Sequence, residues 1–339
     1  MRGLDLIQAG LCDAVKLFIK TEPHKQEKLE TGRYRLISNV SLVDQVVERL
    51  LNSPINKAEI EWWDQCPSKP GIGFDEVGQR VVKMWLHKRL GEPVYESDVS
   101  GFDWSVHGEW LLWDAEFRAG QYTGPAEVLE FLRSALFIRA HCVAAKTFLC
   151  SDGMLCDMPE CYGVQASGSY NTSSTNSRVR VAMRAMLDVV AGDTGRWSAV
   201  TSVERSSPFS LGHYNPIIAM GDDALEMGGE ALKEEDPYGK LGIRVTLKGG
   251  VVTPLKEFEF CSFNWCAKRG VWAYPVGWAK SVMRLSGGPV ADIEIRCGAV
   301  INELRHCPGG VHEYVEGVLR RLGWYVGKVP TGFQECEAS

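Results

Sequence analysis

Apolar residues recur along the chain with two periods, and the places where the period changes mark its elements. Leu4, Ile7, Leu11 and Val15 fall at helical spacing and predict an opening helix. A charged stretch from Lys16 to Arg35 follows, overlapping a short apolar strand over Tyr34 to Val40, and then a helix from about Ser41 to Leu51. Residues 61–72, rich in Trp, Pro and Gly, break the pattern. Helical periodicity returns from Asp75 to Leu90, a strand is expected over Val94 to Val99, and a helix over Ser105 to Ala119. Beyond these come a helix near 125–140, strands near 142–149 and 154–158, and a long helix at 172–191 stopped by Gly192. In that helix Val179, Ala182, Met183, Met186 and Val190 make the stripe expected to pack inward. Residues 192–213 read as polar loop, and Ile217 to Met227 as two apolar strands around a Gly-Asp tip. Helices and strands mix without a regular βαβα alternation, so the fold class is α+β.

Composition narrows this picture. With 339 residues and 45% apolar content the chain can bury a large core, which excludes disorder and coiled coils. The most apolar long stretch, Ser134 to Cys150, carries Arg139, His141 and Lys146 and is not a membrane span. Arg2 and Asp5 follow Met1 where a secretory signal would place a basic and then an apolar run. Eleven scattered cysteines read as free thiols; neither Cys150/Cys156/Cys161 nor Cys261/Cys266 has zinc-knuckle spacing. The net charge of −6, from 37 basic and 43 acidic residues, argues against a purely charge-driven nucleic-acid binder. That average hides a local excess, because Lys16 to Arg35 holds six basic residues against three glutamates.

Four segments carry candidate chemistry. The strand ending in Asp98 is followed by Val99-Ser100-Gly101-Phe102 and then Asp103 at the start of a helix. Asp103 there is equally a helix cap, and an EF-hand fails because Phe102 and Asp103 occupy a ligand and the glycine position. Asp222 and Asp223 at the Gly221 hairpin tip suit a turn; their apolar flanks, however, place two repelling carboxylates in a sheet, where a cation would relieve them. With Asp98 they form an oxygen cluster of the kind hard Mg²⁺ ions require, two such ions being able to sit about 3.5–4 Å apart. Ser167-Gly168 precede a helix on which Thr172 and Asn176 share one face, either as cap chemistry or as hydrogen-bonding groups for a ribose and its 2′-hydroxyl. Lys20, Lys25, Arg33 and Arg35 are a solvated charged face or, with the two arginines alternating on a strand, a clamp for a triphosphate. No P-loop sequence occurs.

The order of these segments resembles motifs F, A, B and C of viral RNA-dependent RNA polymerases. The wording Ser97-Asp98-Val99-Ser100-Gly101-Phe102-Asp103-Trp104 and Gly32-Arg33-Tyr34-Arg35-Leu36-Ile37 is most similar to the polymerases of sobemoviruses and sobemo-like positive-strand RNA viruses. The resemblance implies a right-hand polymerase: fingers over 1–92 with motif F at 16–37, palm over 93–120, a fingers insertion over 121–163, palm again over 164–265, and thumb over 266–339. It implies RNA synthesis from NTPs with two Mg²⁺ ions, for which Mn²⁺ can substitute, held by Asp98, Asp222, Asp223 and the Val99 carbonyl. Asp103, Asn176, Ser167 and Thr172 would read the ribose, and Lys20, Lys25, Arg33 and Arg35 the triphosphate. Lys248 would be the general acid of motif D after a helix and turn, with Lys256 as competitor. Phe258 to Phe263 would form motif E, and Arg269, Lys280 and Arg284 would contact the RNA backbone. Template and product RNA, NTPs, a genome-linked protein primer and other viral replication proteins are the implied partners. The implied setting is the host cytoplasm, in complexes brought to membranes by those partners. Only about 15 residues precede the basic segment, so the fingers are expected to be incomplete at the N-terminus. The alternative reading is a truncated palm that binds RNA or replication proteins without catalysis.

Overall fold

The computed structural model describes residues 2–20, 26–32, 34–73, 75–158, 163–195, 197 and 215–325. It divides into two compact units, Met1–Gly73 with Tyr95–Lys248, and Phe74–Val94 with Gly249–Ser339. Among the described residues no helix is long and apolar enough to cross a membrane.

The first unit opens with α1 (Gly3–Gln8), shorter than the apolar spacing predicts. Gly10 at φ 69° reverses the chain and ends it. Val15 therefore belongs to a strand, β1 (Val15–Ile19), not to the opening helix. After α2 (Gln26–Glu30), β1 pairs antiparallel with β2 (Leu36–Asn39). The helix α3 (Leu42–Glu61) is capped by the Ser41 side chain, which accepts from the Asp44 amide. It runs ten residues past the expected end and through Pro54. Its polarity is inverted: Asp44, Glu48, Asn52 and Asn56 at i, i+4 spacing are buried, while Leu42, Val43 and Leu50 are exposed. The inward residues find charged partners, described below, and those bonds hold α3 through the proline.

Next comes α4 (Glu76–His87), then β3 (Pro93–Val99) and α5 (Phe102–Ser105). The helix expected over 105–119 is split, because Val106 is extended and its carbonyl accepts from the Val164 amide at 2.7 Å; α6 (Gly108–Gly120) starts afterwards. Antiparallel to it packs α7 (Ala126–Ala144), so residues 142–144 are helical and β4 (Thr147–Leu149) is correspondingly short. With β5 (Leu155–Asp157), β4 completes a sheet of order β2-β1-β4-β5.

The long helix α8 (Thr172–Val190) leads to the hairpin β6 (Ile217–Met220) and β7 (Asp223–Met227). With β8 (Val245–Val251) these strands form a sheet of order β6-β7-β3-β8, and β3 and β8 continue into the second unit. The α8 stripe corrects the sequence expectation. Val179 and Met183 are fully buried, but Met186 is 43% and Val190 70% exposed, and Arg180, Arg184 and Asp188 point inward instead. Most of the expected loop at 192–213 lies outside the described residues.

The second unit contains α4, then β9 (Glu257–Phe260), β10 (Phe263–Cys266) and β11 (Tyr274–Pro275) in an antiparallel sheet, and α9 (Trp278–Met283), α10 (Ile293–Glu303) and α11 (Val311–Arg321). Val300, Ile301, Leu304, Val315 and Leu319 close its helical core. Residues 75–94 also pack here. The Gln79 carbonyl oxygen on α4 accepts from the Ala273 amide at 3.0 Å, and Val81, Val82, Trp85 and Leu86 are buried. The nine described cysteines are all free thiols.

Candidate active site

The acidic residues sit where the β3 end meets the β6–β7 turn. Ser97 Oγ lies 3.4 Å from the Ala224 carbonyl, which sets the end of β3 beside the start of β7. By strand alternation Ser97, Ala224 and Glu226 face α8, while Asp98 and Asp223 face the other side. Asp98 and Asp222 are exposed, Asp223 is half-buried, and the Val99 side chain is in the core. Gly221 at φ 67° makes the turn. Its amide donates to Ser177 Oγ at 2.8 Å, and Ser177 donates to the Ser173 carbonyl, so α8 holds the tip of the hairpin. Neither Asp98 nor Asp222 has an ion-pairing partner among the described residues.

These donors fit a hard divalent cation. The Asp98 and Asp222 carboxylates offer oxygens only, are exposed, and are not ion-paired among the described residues. Among the described residues no group of three or more His, Cys, Asp or Glu converges as a ready-made metal cage. Mg²⁺ is ordinarily held by one or two carboxylates and completes its shell with water and substrate phosphates, which is the donor number available here.

The structure joins the two residues expected to read a sugar: Asn176 Nδ2 donates to Asp103 Oδ1 at 2.8 Å. The other amide atom, Asn176 Oδ1, is buried and has no partner among the described residues. An orphan acceptor of this kind costs about 1–3 kcal/mol unless a donor reaches it. Burial pushes the Asp103 carboxyl above the usual carboxylate range; the Asn176 bond and the charges of Arg35 and Lys146 oppose that, and Asp222 adds to it. Asp103 thus senses charges from three further segments, Arg35 on the basic stretch, Asp222 on the hairpin and Lys146 after α7.

Ser167 and Thr172 are committed to backbone. Ser167 Oγ accepts from the Ser38 amide at 3.0 Å, and the Gly168 amide donates to the Ser38 carbonyl at 2.9 Å. A Cβ on Gly168 would stand 2.5 Å from that carbonyl, so glycine is required there. Thr172 Oγ1 donates to the Ala166 and Ser169 carbonyls at 2.7 and 2.9 Å. Glu48 completes this loop by accepting from Ser169 Oγ and the Tyr170 amide, and is itself paired with Arg139 at 2.8 Å. At the start of the loop Val164 has φ 62°, a conformation costing a β-branched residue on the order of 1–3 kcal/mol.

The remaining candidates are dispersed. Lys20 and Arg35 flank the β1–β2 ladder, where the Lys20 amide donates to the Arg35 carbonyl at 2.8 Å. Lys25 and Arg33 lie outside the described residues. The expected helix before Lys248 is absent from the described chain; two single 3₁₀ turns, Glu230–Leu232 and Gly239–Leu241, take its place, and Lys248 is exposed on β8. Residues 234 and 240 spend their charges on each other, Lys240 pairing with Glu234 at 2.9 Å. In the second unit Lys256 sits over the Phe258 ring, Arg269 and Lys280 are exposed, and Arg284 is paired with Glu303 at 3.3 Å.

Sequence reasoning missed the ionic framework behind the site. Glu226, fully buried, accepts from Arg180 at 2.5 Å, Tyr238 at 2.5 Å and Arg184 at 3.2 Å. Arg180 also donates to Ser97 Oγ at 2.7 Å, one residue from Asp98. A second network ties Asp114 to Arg118 (2.8 Å) and Arg178 (2.6 Å), and Arg178 to Glu59 (2.5 Å). The one signal was a helix with arginines at 178, 180 and 184, which on pattern alone belongs to a solvated face.

Comparison with known proteins decides the family. Residues 5–275 match the model of a viral RNA-directed RNA-polymerase family. The chain belongs to that family. It is 38% identical over 294 residues to the RNA-directed RNA polymerase of mushroom bacilliform virus, covering 86% of this chain and 64% of that protein. To the replicase polyprotein P2AB of cocksfoot mottle virus it is 37% identical over 317 residues, covering 89% of this chain and 30% of the polyprotein. The chain therefore spans under two thirds of these relatives. Among solved structures, the RNA-dependent RNA polymerase of a human picobirnavirus, in an insertion-loop deletion form, superposes with a TM-score of 0.62 at 14% identity, over 94% of this chain and 60% of that one. This polymerase family member thus has the polymerase fold, with α+β architecture as the sequence implied.

Proposed function

We propose that this chain is the catalytic part of an RNA-directed RNA polymerase, joining NTPs on an RNA template. The observation that carries the reading is the Asp103–Asn176 pair with its orphan acceptor, set within electrostatic reach of Asp222 and Arg35. A ribose hydroxyl can donate to the free Asn176 oxygen, and Arg35 can draw a phosphate toward the same place. Asp98, Asp222 and the Val99 carbonyl would hold Mg²⁺, with Asp223 beside them; Mn²⁺ suits the same oxygens. Bound there, two such ions supply the charge that activates a 3′-hydroxyl and stabilises departing pyrophosphate.

The protein's own tasks are positional. Ser177 fixes the hairpin tip, Arg180 joins α8 to the strands bearing the acids, and the Ser167–Gly168 turn is locked to β2. Lys248, with Lys256 as competitor, is the candidate for protonating pyrophosphate. In the second unit Arg269 and Lys280 offer positive charge to an RNA backbone. The proposed setting is a replication complex in host cytoplasm, reached through partner proteins such as a genome-linked protein primer. Poly(U) synthesis on poly(A) with Mg²⁺ tests the reading: wild type is expected to extend and Asp222→Ala to lose at least about a hundredfold. Equal synthesis by the two proteins would refute it.

A further inference from the structure

A buried lysine that no step above uses stands at the entrance to the sugar-reading loop. Lys146 follows the C-terminus of α7 and is 2% exposed. Its ammonium donates to three carbonyls, those of Val143 (2.5 Å), Gly163 (2.7 Å) and Val164. It also lies over the Phe148 ring, 5.6 Å from the centroid. The first carbonyl belongs to the last turn of α7, where a cation is favoured by the helix dipole. The other two belong to the segment that enters the loop bearing Ser167 and Gly168.

That segment is held on both sides. From one side the Gly163 amide donates to Ala144, the Val164 amide to the Val106 carbonyl at 2.7 Å, and the Gln165 amide to the Asp103 carbonyl at 2.7 Å. The approach is so close that a Cβ on Gly163 would collide with the Val106 carbonyl. From the other side only the Lys146 ammonium reaches the carbonyls of residues 163 and 164 among the hydrogen bonds of the described side chains. Between these grips Val164 is kept at φ 62°, a conformation a free valine avoids. The Gln165–Asp103 bond transmits the arrangement directly to the residue whose carboxylate meets Asn176. Burial pulls the ammonium down to about 7, Arg139 adds to that, and Asp103 opposes it, which places Lys146 and Asp103 in each other's field.

We propose that Lys146 is a positioning residue for sugar selection: by holding the Gly163 and Val164 carbonyls it fixes the backbone that sets Asp103 against Asn176. This rests on the polymerase reading above. Nothing in it requires Lys146 to touch the nucleotide. Its three N–H groups are already taken, and a neutral isostere would leave buried carbonyls without donors and release the strain at Val164.

Lys146→Met tests this with two readouts on the full chain. Hydrogen exchange at the amides of residues 163–165 is expected to quicken about tenfold while α8 keeps its protection. In primer extension the preference for NTP over dNTP, taken as a ratio of kcat/KM values, is expected to fall about tenfold, with kcat for NTP changed far less. Adding Val164→Gly, which lets this position keep its positive φ at no steric cost without the cation, is expected to recover part of the preference. Should Lys146→Met not fold, Lys146→Gln keeps two donors and is expected to move both readouts in the same direction. Unchanged exchange, or faster exchange with the sugar preference intact, overturns the proposal. A wild type inactive on RNA, in a protein whose 163–165 amides still loosen on Lys146→Met, would refute the polymerase reading while supporting the anchoring by Lys146.

Discussion

The two faces of the β7–β3 strand pair carry acids in opposite ways. On the face toward α8, Glu226 is fully buried and receives hydrogen bonds from Arg180, Arg184 and Tyr238. Burial alone would raise its carboxyl, but the two guanidinium groups hold it below the ordinary glutamate range. On the other face of β3 Asp98, and in the β6–β7 turn Asp222, are exposed and unpaired among the described residues. Among the described residues cations are thus supplied to Glu226 and not to Asp98 or Asp222, which is what the metal-binding role proposed for those two acids asks for. The arginines behind the sheet bind strands to helix; an arginine in front would compete with a metal ion for the same oxygens.

Breaking the rear face is expected to have the largest effect on stability. Glu226→Ala strands Arg180 in the core and leaves Arg184 only its Asp188 partner, a loss of about 3–5 kcal/mol that chemical denaturation will measure. Among the described residues Arg180 Nε and Nη1 and Arg184 Nη2 already lack partners, so removing Glu226 adds to donors that are unmet there. A Glu226→Ala protein within about 1 kcal/mol of wild type would show that the rear network does not hold the strands.

Smaller and different in kind is the effect of separating Asp103 from Asn176. Asn176→Ala is expected to reduce NTP over dNTP preference by about tenfold or more, measured as a ratio of kcat/KM values, with a melting temperature close to that of wild type. A lower melting temperature with unchanged preference would make the pair a structural tie instead.

The network around Asp114 gives a pH test of the closed kind of acid. Burial would raise Asp114, but Arg118 and Arg178 lower it well below the ordinary aspartate range. A carboxyl lowered in the folded state stabilises the fold above its unfolded value of about 3.9 and loses that contribution as pH falls below it. Wild type is expected to lose stability through this acid range with a steeper slope than Asp114→Asn; parallel slopes would remove Asp114 from the account. The smallest change belongs to Arg284→Ala. Its guanidinium is largely solvated, and stability should change by no more than about 0.5 kcal/mol in a denaturant titration.

The same contrast explains what the sequence made legible. Asp98, Asp103, Asn176, Asp222 and Arg35 lie in short segments whose chemistry is written in adjacent residues, and the fold brings Asp103 onto Asn176 and into the field of Asp222 and Arg35. The closed acids left no such mark. Hydropathy assigns a charged residue to solvent, so α3 was read without its buried Asp44 and Glu48, and α8 with Met186 and Val190 turned inward. Only tertiary partners, Arg139 for α3 and Glu226 for α8, reverse that assignment. Val15 escaped for a related reason: its strand is defined by β2 and β4, both distant in sequence, and its apolar spacing continues a helix that Gly10 has already ended. Lys146 was met only as a charge that disqualified a membrane span, since its three carbonyl partners include two from a loop 17 and 18 residues away.

The most direct test of the open acids is a single comparison of wild type with Asp98→Asn/Asp222→Asn, melted in EDTA and assayed for Mg²⁺-dependent RNA synthesis. Removing exposed carboxylates that have no ion-pair partner among the described residues is expected to leave the melting temperature equal or slightly higher, while synthesis falls by at least about a thousandfold. Retained synthesis, or a melting temperature lowered by several degrees, would contradict the claim that these acids are kept open for a cation.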